Sequence, residues 1–264
     1  MVKLIMTDID GTLMQEGGAC LDPEYYSVIR QLTERGIHFA VASGRHSVSV
    51  RRNFGPVLDC IWIVSQNGSV LEYQGKSMVT QPIPPEWARE FWKDLAACPP
   101  LDGIIDTADW SCAPFENTEM FRIVRDEYKF NIFATGSWDV IPEGSYSMMT
   151  IFHPENAEAF YKQTPLPAKW ESRMDIISTG QYWIDCMMPG VSKGQALERL
   201  CGQLGISPSE TIAFGDNLND IPMLRAAGCG YAVDTARAEV LEAADKIIPG
   251  YRSNGVLEVL KKLL

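Results

Sequence analysis

Two aspartates at the end of a short apolar run constrain this chain more than any other feature: Lys3-Leu4-Ile5-Met6-Thr7-Asp8-Ile9-Asp10-Gly11-Thr12-Leu13. The apolar run predicts a buried strand, in whose pleat residues i and i+2 point the same way. Gly11 and Thr12 then predict a turn. Two like charges aimed at one spot repel, so such a pair is cheap to keep where a cation sits between them or where they do acid–base work. A strand running out into a polar turn is the plainer reading of the same residues, because Asp and Gly are ordinary turn residues.

Beyond this strand, Asp22-Pro23 reads as an N-cap followed by proline at the first helical position, with Tyr25, Val28, Ile29 and Leu32 at helical spacing up to Gly36. Apolar runs at 37–42 and 61–64 close on Ser43-Gly44-Arg45 and Ser65-Gln66-Asn67-Gly68. Alternating strands and helices with polar residues at each strand's carboxyl end predict a parallel sheet flanked by helices, with the ligand crevice at those ends. From Pro82 the texture changes. A helix carrying Trp87, Phe91, Trp92 and Leu95 is followed by strand-like runs at 103–106, 146–152, 174–178 and 182–187 and helix-like runs at 116–128 and 155–162. This pattern predicts an α+β module inserted into the first domain, with boundaries 1–81, 82–188 and 189–264. Six of the seven tryptophans (87, 92, 110, 138, 170 and 183) fall inside it. Most are expected in its core, and one or two lining a pocket would suit a sugar-like ligand.

The return begins at Pro189-Gly190. A helix from Lys193, a strand at 211–214, the cluster Gly215-Asp216-Asn217-Leu218-Asn219-Asp220 at the start of a helix over 221–227, a strand at 230–233, a helix at 236–244 and a closing helix from Gly255 complete the first domain.

Charge and cysteine usage exclude several classes. The net charge is −11, and between Pro82 and Asp185 there are 8 Lys and Arg against 17 Asp and Glu. An acidic surface repels phosphate backbones, which argues against nucleic acid as the partner. Seven scattered cysteines with no Cys-x-x-Cys pair fit reduced thiols rather than a disulfide frame or zinc site. Three scattered histidines, at 38, 46 and 153, do not form a transition-metal cluster. With neither a leader-like start nor an apolar span of membrane length, the expected location is cytoplasmic, with no membrane contact and no obligate protein partner.

Three further clusters carry chemistry. Ser43-Gly44 after a strand offers a hydroxyl and free N–H groups that can hold phosphate oxygens, although Ser-Gly is also a common turn. Lys193 places a cation at a helix amino end, where the dipole is already positive, and an anion held there would resolve the conflict. Asp216, Asn217, Asn219 and Asp220 offer oxygen ligands suited to a hard cation such as magnesium, at a spacing unlike the twelve-residue calcium loop.

In their order and setting these four clusters resemble the motifs of the haloacid dehalogenase-like phosphohydrolases, and the size of the insertion resembles the type-2 cap of the Cof-like branch. Asn67-Gly68 after the third strand is similar to that branch too, whereas Val233-Asp234-Thr235-Ala236 stands where many relatives carry glycine-asparagine. The resemblance implies a Rossmann-like core with an inserted cap and a magnesium-dependent phosphatase acting on a small phosphomonoester through an aspartyl phosphate. It further implies Asp8 as nucleophile, Asp10 as general acid and base, and Asp8, Asp10 and Asp216 as the metal ligands. Thr12, Ser43, Gly44, Lys193 and Asn219 would bind phosphate, and Ile9, Arg45, Asn67, Gly215 and Asp220 would support them. The cap would close over the crevice and set substrate choice. A phosphomutase with the same chemistry, or a non-catalytic phosphoacceptor, are the alternatives. Hexose phosphates, nucleotides, vitamin-precursor phosphates and small phosphorylated acids are all open as substrates.

Overall fold

The computed structural model describes residues 1–15 and 21–264, so Cys20 lies outside the described residues. Strand β1 (Leu4–Asp8) is buried along its whole length, as a strand covered on both faces must be. It ends at Asp8. Asp10 lies beyond the pleat, in a turn where it bridges to Met14 and Gly11 takes a positive φ of 86°. The expectation of two carboxylates on one strand face is therefore corrected: a turn residue, not the pleat, carries the second.

Helix α1 (Pro23–Glu34) is capped by Asp22, whose carboxylate accepts from the Glu24 N–H, and it buries Tyr25, Val28, Ile29 and Leu32. Then come β2 (His38–Ala42), α2 (Ser47–Phe54) and β3 (Ile61–Ser65), followed by β4 (Val70–Tyr73), antiparallel to β3, and β5 (Lys76–Val79). The β4–β5 hairpin carries no clear sequence signal. Its turn places both Gln74 and Gly75 at positive φ, and Gln-Gly lacks the Asn-Gly signature by which such turns are read.

The insertion is an α+β unit of its own. Its elements are α3 (Pro85–Ala96), β6 (Asp102–Asp106), β7 (Ser111–Ala113), α4 (Glu119–Arg122), β8 (Ile132–Ala134), β9 (Met148–Phe152), α5 (Ala157–Tyr161), α6 (Leu166–Trp170), β10 (Asp175–Ser178) and β11 (Trp183–Met187). The strands form a sheet in the order β10-β11-β9-β6-β7-β8, antiparallel except for β7–β8. Ile105, Met149, Ile151, Ile184 and Cys186 share a core with Phe91, Trp92 and Trp170 from the helices. Strand alternation puts Asp106, Thr150 and Asp185 on the opposite face. Trp92 and Trp170 are fully buried, while Trp87, Trp110, Trp138 and Trp183 are only partly covered. The short β7 and β8, and the single-turn α6, have too little periodicity to be read from sequence.

After the insertion come α7 (Lys193–Leu204), β12 (Thr211–Gly215), α8 (Ile221–Ala226), β13 (Cys229–Val233), α9 (Ala238–Ala243), β14 (Lys246–Ile248) and α10 (Gly255–Lys261). The sheet of this unit runs β14-β13-β12-β1-β2-β3-β4-β5, parallel from β14 to β3. Alternate residues feed two cores: Ile5, Phe39, Val41 and Phe214 face α1 and α10, whereas Leu4, Met6, Ala40 and Ala213 face α7 and α8. Where the Gly-Asn pair is missing, Asp234 accepts a 2.9 Å bond from the Gly250 N–H and so fastens the chain leaving β14.

The two compact units are residues 1–77 with 192–264, and residues 78–191. Cys60, Cys98, Cys112, Cys186, Cys201 and Cys229 are free thiols. Among the described residues no helix is long and apolar enough to cross a membrane.

Candidate active site

The register of the first unit's sheet explains why distant residues meet. Asp8 is level with Ala42 on β2, and the preceding Thr7 is level with Phe214 on β12, so the chain leaves all three strands at the same edge. Asp8, Ser43 and Asp216 therefore start from neighbouring points. Lys193 joins them from the first turn of α7, which Ser192 caps through its bond from the Gln195 N–H.

Asp8 is buried. Its Oδ1 accepts from Lys193 Nζ at 2.5 Å, and the same ammonium donates to Asp220 Oδ1 at 2.6 Å. The other oxygen of Asp220 accepts from the N–H groups of Asp216 and Asn217, at 2.9 and 3.0 Å. Asp220 is wholly buried and both its oxygens are in use, so it fixes the 216–217 loop and the lysine. One carboxylate oxygen from each of Asp8, Asp216 and Asp220 lies within 4.8 Å of the others. Since Asp220 is spoken for, Asp8 and Asp216 are the pair with coordinating capacity to spare. Asp8 Oδ2 is buried and accepts no hydrogen bond, an arrangement that is costly unless a cation compensates it.

Electrostatics follow the packing. Burial raises the Asp8 carboxyl well above the usual range, the Asp220 charge raises it further, and Lys193 opposes both. Asp216 is raised as well, mainly by burial, with the bond from Thr12 pulling the other way. For Lys193, burial alone would weaken the ammonium, but Asp220 and Asp8 outweigh it and hold the proton more tightly than in water.

Thr12 meets the cluster through Asp216. It is fully buried, and its hydroxyl donates to Asp216 Oδ1 at 2.8 Å, which orients the metal-suited carboxylate. Gly11 permits this approach, because a Cβ there would lie 2.2 Å from Asp216 Oδ2. Gly215 likewise leaves room for its neighbour, since a Cβ at that position would lie 2.4 Å from the Asp220 Cβ. Ile9 is a core residue that anchors the turn from inside.

Asp10 is partly exposed and forms an ion pair with the guanidinium of Arg45, which also reaches Asn53 Oδ1 at 3.4 Å. Asn53 is a buried residue of α2 that sequence reasoning missed, and a single polar residue on a helix gives no signal for it. Ser43 is buried and its hydroxyl accepts from the Arg45 N–H at 3.1 Å, tightening the turn through Gly44. Asn219 donates to Asn67 Oδ1 at 2.9 Å. His46 and His153 stand outside the cluster, each accepting backbone N–H bonds through Nδ1.

Carboxylates at the carboxyl edge of a parallel sheet, beside a buried lysine, form a cluster that could hold a metal ion. A model of the haloacid dehalogenase-like hydrolases matches residues 5–260, and the chain belongs to that family, in its Cof-like branch, as a phosphatase. It is 26% identical over its whole length, and over 96% of the relative's, to the 5-amino-6-(5-phospho-D-ribitylamino)uracil phosphatase YbjI of Escherichia coli. It is 29% identical to a phosphoglycolate phosphatase of Methanoculleus marisnigri, over 99% of this chain and 97% of that one. A crystal structure from Eubacterium rectale matches all of this chain and 99% of its own, with 36% identity and a TM-score of 0.91.

Proposed function

We propose that the protein is a magnesium-dependent phosphomonoester hydrolase that works through an aspartyl phosphate on a small phosphorylated metabolite, a sugar phosphate or similar compound. The observation that carries this reading is the state of Asp8: one oxygen is held by Lys193, and the other is buried without a donor beside Asp216. The Asp8 and Asp216 carboxylates and the Asp10 backbone carbonyl fit magnesium, a hard cation that takes oxygen ligands. Bound there, it would offset the repulsion between the Asp8 carboxylate and the incoming phosphate.

Asp8 attacks phosphorus, and the bond to the leaving alkoxide breaks as Asp10 gives that oxygen a proton. Asp10 then takes a proton from the water that attacks the aspartyl phosphate, releasing inorganic phosphate and restoring Asp8. Lys193, Ser43, the Gly44 N–H and Asn219 hold the phosphoryl oxygens as prepositioned donors. Asp220 orients Lys193, and Thr12 orients Asp216. The metabolite class rests on the relatives, whose names place a ribityl phosphate and phosphoglycolate among their substrates.

Phosphate release from an aryl phosphate with magnesium tests this reading. Asp8→Asn should abolish it, and turnover near wild type in that variant would remove Asp8 as the nucleophile. A panel of phosphomonoesters then identifies the substrate.

A further inference from the structure

The loop Gln66-Asn67-Gly68 is built at a cost. Its three residues have φ of 51°, 55° and 106°, and the first two are not glycine. A non-glycine residue in the left-handed region costs on the order of 1 kcal/mol or more, and Asn bears it better than Gln. Gln66 and Asn67 are also buried. Strain of this kind persists only where the surroundings over-determine it.

The surroundings here are the phosphate-binding segments themselves. The Gln66 N–H donates to the Arg45 carbonyl and the Asn67 N–H to the Ser43 carbonyl, each at 3.0 Å. A Cβ on Gly44 would lie 3.2 Å from Asn67 Oδ1, so the Asn67 amide rests against Gly44. A Cβ on Gly68 would lie 2.4 Å from the Ser192 carbonyl oxygen, so the loop abuts the residue before Lys193. Finally, Asn67 Oδ1 accepts the 2.9 Å bond from Asn219 Nδ2. One strained loop thus touches all three segments that supply phosphate donors.

We infer that Asn67 is a positioning residue of the phosphate site. It acts through Asn219, whose amide it fixes by occupying one N–H, and the left-handed backbone is what aims the Asn67 side chain there. This inference rests on the proposed phosphate-binding role of Asn219.

The test is a double-mutant cycle of Asn67→Gly and Asn219→Ala, read as kcat and KM for an aryl phosphate and as inhibition by orthovanadate. Glycine suits the left-handed backbone, so Asn67→Gly deletes the side chain without forcing the loop to move. It should keep its melting temperature within a few degrees and lose about tenfold to a hundredfold in kcat/KM, with weaker vanadate inhibition, the size expected of a misplaced donor. In the Asn219→Ala background it should cost little more, because residues that act as a unit are not additive. Wild-type kinetics in Asn67→Gly, or losses that multiply in the double variant, would overturn the inference. Should Asn67→Gly fail to fold, Asn67→Ala, which removes the same accepting oxygen, replaces it in the cycle with the same two outcomes. Either failure would leave the Asp8 test untouched, so the two readings fall separately.

Discussion

Lys193 Nζ lies 2.5 Å from Asp8 Oδ1 although 185 positions separate the two residues, and both are buried. The ammonium also holds Asp220, so one cation balances two buried carboxylates. Removing one member of a buried ionic group strands the others at about 3–5 kcal/mol. Lys193→Met should therefore lose both activity and several degrees of melting temperature. Thermal denaturation beside phosphate release checks this, and a stable but inactive variant would limit the lysine to catalysis.

The ion pair between Arg45 and Asp10 holds the carboxylate proposed to protonate the leaving group. Loss of orientation there should matter most where that proton is most needed. Arg45→Met is expected to slow hydrolysis of an alkyl phosphate by about tenfold to a hundredfold, and that of a nitrophenyl phosphate much less, because a good leaving group departs without an acid. Asp10→Asn should show the same ranking with larger losses. Equal losses on both substrates would contradict the assignment.

Thr12 and Gly11 together hold Asp216, one by a hydrogen bond and one by leaving room. Thr12→Val keeps the volume but removes the donor, and Gly11→Ala drives a methyl group into the carboxylate. Both should weaken magnesium binding, seen as a smaller rise in melting temperature on adding the ion. For the wild type the expected gain is about 2.7 kcal/mol at a hundredfold excess over Kd.

In the inserted unit, burial pushes the Asp106 and Asp185 carboxyls up to about 7. Asp106 accepts from Ser111 at 2.5 Å and Asp185 from Thr150 at 3.4 Å. A folded-state pKa above the unfolded value means that the native protein binds more protons across the interval between them. Stability from these groups is therefore full near pH 4 and falls as pH rises through 7. Asp106→Asn with Asp185→Asn should raise the melting temperature at pH 8 and flatten its fall between pH 5 and 8. A melting profile of unchanged slope would show that both carboxylates ionise freely.

Much of this molecule was legible in one dimension, because its signals are local. Asp22-Pro23 starts α1, Gly205 ends α7 in a left-handed cap, and β1, β2, β3 and β12 are apolar runs that sheet pairing requires to be buried. The clusters around Asp8, Ser43 and Asp216 stood out because polar residues directly after apolar strands mark a sheet's carboxyl edge, and Lys193 because a cation at a helix amino end opposes the dipole. The elements missed were β4, β5, β7, β8, β14 and α6, all too short to establish a period against the background.

The sequence by itself determined the order of the longer strands and helices, and which residue types stand at their ends, since both follow from periodicity and capping over a few residues. Which of those side chains are free to act was decided only by the tertiary structure. Thr12 faces Asp216, Asp220 spends both oxygens on Lys193 and the 216–217 amides, and Asn67 reaches Asn219 across 152 positions. The physical reason is that a hydrogen bond once made is unavailable to a ligand, and its partner is chosen by parallel-strand register and close approach at glycines. Neither leaves a trace in the neighbouring residues.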